Sequence, residues 1–137
     1  MTDARALLFE LLLRIAPELS LRLATQSSQR GRAGERLAAL HLRRIGHLVL
    51  ARNLRHPRGE LDLVTRAGAQ LVVVEVKTGL SAKAPHSARF SPVARQRRRL
   101  AAVELARRWG LTPRLDLVEV HLKRPGRLAL IRHLHDL

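Results

Sequence analysis

Two short apolar segments carry charged residues whose types and spacing could support catalysis. Glu60 and Asp62 lie in the first segment, and Glu75 and Lys77 lie in the second. Because side chains alternate between the two faces of a strand, period-two spacing puts each acidic set on one face. Burying carboxylates in a β-rich core costs free energy unless a partner compensates, and a divalent cation held by oxygen ligands is such a partner. In a strongly basic chain this pattern predicts an enzyme that hydrolyses phosphodiester bonds.

Hydrolysis of a phosphodiester gives each of these side chains a candidate role. Asp62 and Glu75 are the predicted metal ligands, and the carbonyl oxygen of Val76 is a third candidate ligand. All-oxygen ligation favours Mg²⁺ or Mn²⁺ over zinc. Lys77, on the same face as Glu75, is predicted to orient the attacking water or to offset charge in the transition state. Glu35 lies at the edge of the apolar arc of a predicted helix, so its carboxylate can face the sheet and complete the site.

A simpler alternative is that these residues are ordinary surface charges. Glu75 and Lys77 could form an exposed ion pair on a half-buried strand, and Glu35 could be solvated on its helix. The chain has only 11 acidic residues against 26 Lys and Arg, and four of the 11 lie at positions 35, 60, 62 and 75. That concentration favours a site, because scattered acidic residues would serve solubility better.

Composition limits the class of protein. A chain of 137 residues is typical of one domain with its own core. It has no cysteine, which indicates a reducing compartment such as the cytoplasm and excludes thiolate zinc sites and cysteine nucleophiles. The formal net charge of +15 predicts an anionic partner, with nucleic acid as the leading candidate. Only three of the 26 basic residues are Lys, so a bias toward Arg codons is an alternative source of the charge.

The scarcity of aromatic residues narrows the mode of nucleic-acid binding. Single strands are normally held by rows of stacking rings, and aromatic residues make up only 2% of this chain. The predicted contacts are therefore made by Arg to phosphates and depend on the shape of a duplex or junction. The candidate residues are Arg95, Arg97, Arg98 and Arg99 on one helix, together with Arg32 and Arg58. A merely solvated helix face is the alternative.

An amphipathic helix is predicted over residues 4–24. Its apolar residues recur at spacings of three and four, namely Leu8, Leu11, Leu12, Ile15, Leu19 and Leu23, and Pro17 can bend it. Charged residues interrupt the apolar run before it reaches the length of a membrane span, so no membrane association is expected. Residues 25–31 are predicted to be a linker. The predicted division is therefore an N-terminal arm and linker, 1–28, and a main domain, 29–137.

The main domain is predicted to contain a helix, three strands, a helix and two strands, in that order. The helices are predicted at 31–46 and 92–110, and strands at 47–54, 70–77, 114–121 and 127–133, with the second strand between the turns 57–59 and 66–69. A turn is also predicted at 123–126 and an irregular loop at 78–92. A loop of two or four residues before the third strand puts Asp62 and Glu75 on the same face, whereas a loop of three puts them on opposite faces.

Four segments resemble one protein family. They are QRGRAGE at 29–35, ARNL at 51–54, GELDLV at 59–64 and VVEVK at 73–77. These segments are similar to the YraN-like family of uncharacterised bacterial proteins, over about residues 29–120. That family resembles archaeal Holliday-junction resolvases and belongs to the restriction-endonuclease-like group with its PD-(D/E)XK motif.

The resemblance carries expectations for both fold and site. It implies an α/β protein with a central mixed sheet of about five strands flanked by helices, here with an extra N-terminal helix. It also implies a Mg²⁺ site that comprises Glu35, Asp62, Glu75 and Lys77. Asp62 is preceded by Leu61 and Glu60 rather than by the Pro of the motif, and the role of Glu60 stays open. Gln96 stands where the family commonly has Lys, and its amide could position a water or a phosphate.

Two functional classes follow from these patterns. The leading hypothesis is a cytoplasmic, metal-dependent DNA endonuclease, with branched or otherwise structured DNA as a candidate substrate. A homodimer is then expected, because a four-way junction has matching two-fold symmetry. The alternative is a non-catalytic nucleic-acid-binding or accessory protein that retains the nuclease fold. A small basic ribosome-associated protein would explain the charge but not the acidic cluster.

Overall fold

A five-stranded sheet with helices on both faces forms the body of the protein. The computed structural model describes residues 4–17, 27–79, 89–121 and 130–137. The helices are α1 (Ala4–Ile15), α2 (Ser27–Arg44) and α3 (Pro92–Trp109), and the strands are β1 (Leu48–His56), β2 (Gly59–Ala67), β3 (Gln70–Gly79), β4 (Thr112–His121) and β5 (Leu130–Leu134). The strands lie across the sheet in the order β1, β2, β3, β4, β5.

The direction of the strands makes this a mixed sheet. Strands β1, β2 and β3 form an antiparallel meander, β4 runs parallel to β3, and β5 returns antiparallel to β4. Helix α3 is the crossover connection that the parallel pair requires. The predicted class, an α/β fold with a five-stranded mixed sheet flanked by helices and an extra N-terminal helix, is confirmed. It is consistent with a restriction-endonuclease-like core.

Alternation along the central strands divides the core into two layers. Residues of α2 pack against one face of the sheet, in a cluster that includes Leu37, Ala38, Leu42, Val72, Val74, Val118 and Val120. Residues of α3 pack against the other face, in a cluster that includes Ala101, Ala102, Ala106, Leu71, Val73, Leu115 and Leu117. Glu75 and Lys77 have the parity of Leu71 and Val73, so they lie on the α3 face.

Helix α1 packs through a different face from the one predicted. Its buried residues are Phe9 and Leu13, which join the cluster on α2. Of the described residues of the predicted apolar stripe, Leu12 is half-buried, but Leu8, Leu11 and Ile15 are 47%, 54% and 70% exposed, so the predicted buried face is wrong there. Residues 18–26, with the rest of the predicted stripe, lie outside the described residues. None of the helices in the described ranges is long and apolar enough to cross a membrane.

Helix α2 begins earlier than the glycines in its sequence suggest. It starts at Ser27, so residues 27–31 are helical rather than part of a linker. Glycine is needed at position 34, inside the helix, because a Cβ atom there would lie 1.8 Å from Oγ1 of Thr78. The absence of a side chain therefore lets α2 lie directly against β3.

The turn between β2 and β3 sets the register of the acidic residues. Ala67 pairs with Gln70, so the turn contains two residues, one of the two lengths predicted to put Asp62 and Glu75 on the same face. Gly68 makes this tight turn with a φ of 59°, a conformation that glycine adopts without strain. The hydrogen-bonded register ends at the pair Leu63 and Val74, and one further step puts Asp62 opposite Glu75 on the same face.

Helix α3 has the predicted ends. The Ser91 side chain caps its first turn by accepting a hydrogen bond from the Ala94 N–H at 3.2 Å, and Pro92 occupies the first helical position. Gly110, with a φ of 65°, ends the helix. The middle of the predicted loop, 80–88, and the turn at 123–126 lie outside the described residues.

Candidate active site

The predicted acidic residues meet on neighbouring elements. Glu35 lies in the first half of α2, Asp62 near the start of β2, and Glu75 and Lys77 near the end of β3. The charges of Glu75, Glu35 and Lys77 all act on the Asp62 carboxyl group. The charges of Glu60 and Glu75 act on Glu35. The structure therefore brings together side chains that are up to 42 positions apart in the sequence, between Glu35 and Lys77.

Asp62 lies directly beyond the last backbone pair of strands β2 and β3, which is Leu63 and Val74. Its Oδ2 atom accepts a hydrogen bond of 2.8 Å from the backbone N–H of Val76. Burial, and next the negative charge of Glu75, raise the pKa of Asp62 to about 7, although the bond from Val76 opposes that rise. Asp62 is therefore poised between its protonated and ionised forms at neutral pH.

Glu75 is a buried carboxylate, 6% exposed, with a cation on each oxygen. Lys77 Nζ lies 3.0 Å from Oε1, and Arg98 Nε lies 3.1 Å from Oε2. Two partners offset the cost of burying this charge. Lys77 also lies over the buried ring of Phe90, with Nζ 5.9 Å from the ring centroid. The ion pair predicted as a surface alternative is thus mostly buried.

Arg98 reaches Glu75 from α3 across a glycine. A Cβ atom at Gly59 would lie 2.9 Å from Nη1 of Arg98, and the φ of 116° at Gly59 is itself unfavourable for other residues. From the sequence, Arg98 is predicted only to bind nucleic acid. The structure adds a second role, as the cation that holds one oxygen of the predicted metal ligand.

Asn53 is a member of the site that sequence reasoning missed. Its φ of 47° breaks the regular strand conformation of β1, between the pairs Arg52–Leu63 and Leu54–Leu61. Its side chain forms a hydrogen bond with Glu35, yet burial has the larger effect and raises the pKa of Glu35. The available signal was the residue type, since Asn is enriched among non-glycine residues with positive φ.

Arginine side chains line a pocket beside Glu35. The pocket is formed by Leu13, Arg32, Glu35, Arg36, Arg52 and Asn53. Arg32 is held by Glu10 through contacts of 2.5 and 3.0 Å. Burial, followed by the charges of Arg36 and Arg43, lowers the pKa of Arg52. Of this set only Arg32 was predicted as a phosphate ligand, and the pocket adds Arg36 and Arg52.

The other predicted residues have separate positions. Glu60, Arg97 and Gln96 are exposed, and Gln96 lies on the same helix as Arg98. Nε of Arg58 donates to Glu104 at 2.8 Å, and Nε of Arg95 donates to the Phe90 carbonyl at 3.1 Å. Arg99 donates to the carbonyl of Leu137. Their predicted roles toward water, phosphate and DNA stay predictions.

The donor set fits a hard cation in its chemistry. Three carboxylates offer only oxygen, which is the ligand type that Mg²⁺ and Mn²⁺ prefer, and the carbonyl of Val76 stays a predicted fourth donor. Burial, and next the negative charge of Glu75, raise the pKa of Asp62, and a bound cation would offset both effects. The oxygens of the three carboxylates are not drawn tightly together, however: within the described ranges, only Asp116, His133 and His135 place three ligand atoms within 4.8 Å of one another.

The fold is that of an α/β protein, consistent with a nuclease-like core, in which the buried carboxylate of Glu75 lies near the half-buried side chains of Glu35, Asp62 and Lys77. The model of "Uncharacterised protein family UPF0102" matches residues 34–120. The chain therefore belongs to the UPF0102 family, which confirms the predicted YraN-like resemblance. The matched range includes all four residues of the predicted catalytic set and excludes α1.

Relatives match over most of their length. A UPF0102 protein of Syntrophotalea carbinolica is 44% identical over 107 residues, covering 75% of this chain and 85% of the relative. One of Symbiobacterium thermophilum is 42% identical over 102 residues, covering 72% and 86%. One of Streptomyces griseus is 46% identical over 101 residues, covering 70% and 85%. These names give a family and no activity.

Proposed function

We propose that the protein is a metal-dependent DNA endonuclease that hydrolyses phosphodiester bonds. The observation that carries this proposal is the meeting of Glu35, Asp62 and Glu75 beside Lys77, with burial and the charge of Glu75 raising the pKa of Asp62 to about 7. A structural core has little reason to gather mutually repelling carboxylates in partly buried positions, whereas a cation site requires it.

Glu35, Asp62, Glu75 and the carbonyl of Val76 are the groups that would hold Mg²⁺ or Mn²⁺. The cation would supply a hydroxide at neutral pH and neutralise charge on the phosphate. Asp62 must be ionised to act as a ligand, and its N–H bond from Val76 favours the ionised form and fixes its orientation. Arg98 holds one oxygen of Glu75, so this oxygen becomes a ligand only when Arg98 moves aside.

Lys77 is placed to assist the reaction. It is anchored between Glu75 and the Phe90 ring, so its ammonium group has a defined position next to the carboxylates. A fixed positive charge there stabilises negative charge that develops on the phosphate, and its N–H groups can orient the attacking water. Because it is only partly exposed, this charge acts at lower dielectric than a surface lysine.

DNA is the proposed polymer because the site borders a basic pocket. Arg32, Arg36 and Arg52 line that pocket next to Glu35. Guanidinium groups bind phosphate oxygens through paired hydrogen bonds, so these residues can hold the backbone near the carboxylates. Branched DNA is the first structured substrate to test, and a homodimer is the arrangement that would match its symmetry.

A non-catalytic role is the second candidate, and one contact favours it. Both oxygens of Glu75 are already paired, with Lys77 and with Arg98, as in a structural ion-pair network. In that case the chain would bind nucleic acid through its arginines and the carboxylates would only stabilise the fold. The two candidates differ in whether a metal displaces Arg98 and whether DNA is cut.

Cleavage assays distinguish these functions. Purified protein is incubated with plasmid, linear and four-way-junction DNA, with Mg²⁺, with Mn²⁺ and with chelator. We expect metal-dependent cleavage that is lost in Glu75→Ala and kept in Asp136→Asn, which changes an exposed acid outside the site. The nuclease proposal is falsified if no DNA is cut with either metal, or if Glu75→Ala cuts as well as the unaltered chain. DNA binding without cleavage would support the second candidate.

A further inference from the structure

Four of the seven histidines of the chain lie together on the α2 face of the sheet. His41 belongs to α2, His47 precedes β1, His133 belongs to β5 and His135 follows it. The ring centroid of His133 lies 5.3 Å from that of His41, 6.2 Å from that of His47 and 3.8 Å from that of His135. The charges that act on His41 and His47 come from this cluster, from Asp116, from Arg44 and from Arg114, and Glu35, Asp62, Glu75 and Lys77 are not among them, so the cluster is separate from the candidate active site.

Asp116 fixes the orientation of His133. Its Oδ2 atom lies 2.8 Å from Nε2 of His133, and its two oxygens also accept bonds of 2.9 and 2.7 Å from Arg114 and one of 3.0 Å from the N–H of Asp136. Both oxygens of Asp116 thus act as acceptors toward Arg114 and the backbone, so Nε2 of His133 is the donor in the contact with Oδ2.

The other nitrogen of His133 then presents a lone pair to a second histidine. In the neutral ring Nδ1 is the acceptor, and it lies 3.2 Å from Nε2 of His41. Two nitrogens bound to one tetrahedral zinc at about 2.0–2.1 Å each would be separated by about 3.3 Å. A histidine that binds a metal with one nitrogen and donates its other N–H to a carboxylate is a recurrent arrangement in metal sites.

His135 supplies a third nitrogen next to this pair. Its ring stacks on His133, and its side chain is 58% exposed, so it can rotate without disturbing the core. Asp116, His133 and His135 also have ligand atoms within 4.8 Å of one another. Direct ligation by Asp116 is less favourable, because Arg114 already binds both of its oxygens and adds a positive charge beside them.

We propose that His41, His133 and His135 bind one borderline transition-metal ion, such as Zn²⁺ or Ni²⁺, with Asp116 orienting His133 and solvent completing the coordination. Imidazole nitrogen suits these ions better than it suits Mg²⁺, so the two candidate metal sites differ in selectivity. The bound ion links α2 to β5, which among the described strands lies at the edge of the sheet and pairs only with β4. Its effect is to secure the C-terminal strand against the helix.

Calorimetry with the full chain, stripped of metal by a chelator and dialysed, tests the proposal. The titration uses Glu75→Ala as the parent, which weakens any binding of Zn²⁺ at the acidic cluster. We expect one Zn²⁺ per chain, with the affinity at least about tenfold weaker after His41→Gln. His56→Gln is the matched control, since His56 pairs with Glu104 and lies outside the cluster, and we expect no change in affinity.

Two further readouts separate ligation from folding defects. Zn²⁺ should raise the melting temperature of the parent and of the His56→Gln variant, but not that of the His41→Gln variant. Ring ¹H–¹⁵N signals of His41 and His133 should shift at one equivalent of Zn²⁺, while those of His56 stay in place. The proposal is wrong if no stoichiometric binding occurs, or if His41→Gln binds as tightly as the control. His133→Gln is a secondary variant, because it also removes the bond to Asp116.

Discussion

Arg98 Nε lies 3.1 Å from Oε2 of Glu75, so a side chain from α3 holds the carboxylate that the sequence motif designates as a metal ligand. This contact gives a helix on one face of the sheet direct control over the charge of the site. It also gives the nuclease proposal a physical requirement, because a cation and the Arg98 guanidinium compete for the same oxygen.

Replacing Arg98 by Ala should weaken the fold and strengthen the response to metal. Loss of a hydrogen bond to a buried charged group typically costs about 2 kcal/mol, and Lys77 remains to hold the other oxygen. Urea unfolding with and without Mg²⁺ measures the effect, and Mg²⁺ should stabilise Arg98→Ala more than the unaltered chain. Arg97→Ala, the exposed neighbour, should show neither change. Equal Mg²⁺ effects in all three proteins would contradict competition for Glu75.

Asp62 should make the metal-free protein less stable as the pH rises. Its pKa is about 7 in the folded state, against an ordinary value of 3.8, so the folded state binds the proton more tightly. The stabilising contribution is complete below pH 3.8 and is lost as the pH rises through about 7. Asp62→Asn lacks this loss and should be more stable than the unaltered chain at pH 8 by roughly 2–4 kcal/mol. Chemical unfolding of both proteins in chelator across this pH range measures the effect. If the pKa of Asp62 were not raised, the plots of unfolding free energy against pH would run parallel for the two proteins.

Lys77→Met should impair catalysis more than binding. On the nuclease proposal, removal of one positioned cation should lower the single-turnover cleavage rate by about 10²–10³-fold. Affinity for DNA, measured in chelator, should change little because one partly buried lysine makes a small contribution to the total positive charge. Arg66→Gln, a change at an exposed residue of β2, serves as the charge-matched control. A loss of rate that merely follows a loss of affinity would assign Lys77 to binding.

The salt dependence of DNA affinity should measure the phosphate contacts made by the arginines of the pocket beside Glu35. Each phosphate contact adds about one unit to the slope of log affinity against log salt, so Arg52→Gln should reduce that slope by about one. The measurement is fluorescence anisotropy with a labelled duplex at several salt concentrations. A flat salt response of the unaltered chain would exclude phosphate binding as the main contribution.

Replacement of Gly34 and of Gly31 by Ala should have opposite effects on the stability of the protein, although both residues lie in helix α2. A Cβ at Gly34 meets Thr78 at 1.8 Å, whereas a Cβ at Gly31 has nothing within 4 Å. Gly34→Ala should therefore push α2 away from β3 and destabilise the protein by about 1–3 kcal/mol. Gly31→Ala should stabilise it by about 0.5–1 kcal/mol, since Ala has the higher helix propensity. Thermal or urea unfolding of both variants tests the packing of the helix that carries Glu35.

The sequence predicted helices and strands well where their ends and faces depend only on residues close by in the chain. Ser91, Pro92 and Gly110 mark the ends of α3 by capping chemistry that acts within a few residues. Alternating Val residues identified β3, and the spacing of charged residues within it located Glu75 and Lys77 on one face. These features follow from backbone geometry and need no knowledge of distant partners.

Features that depend on tertiary contacts were missed or predicted wrongly. The buried face of α1 is defined by Phe9 and Leu13 because they meet α2, and a count of leucines along the helix contains no information on that surface. Asn53 forms a hydrogen bond with Glu35, which is 18 positions away in the sequence, and Arg98 forms one with Glu75, which is 23 positions away. Such pairs arise only when the strands and helices have assembled, so residue type and spacing could not reveal them.

The passage of Arg98 over Gly59 links the β1–β2 hairpin to the charge balance of the carboxylates. A methyl group at position 59 would occupy space that the guanidinium uses, and the guanidinium is the flexible end of its side chain. A substitution there would therefore turn Arg98 away from Glu75 in addition to straining the backbone. Gly59 itself contributes no reactive group, yet through this shared volume it influences how firmly Arg98 neutralises the Glu75 carboxylate.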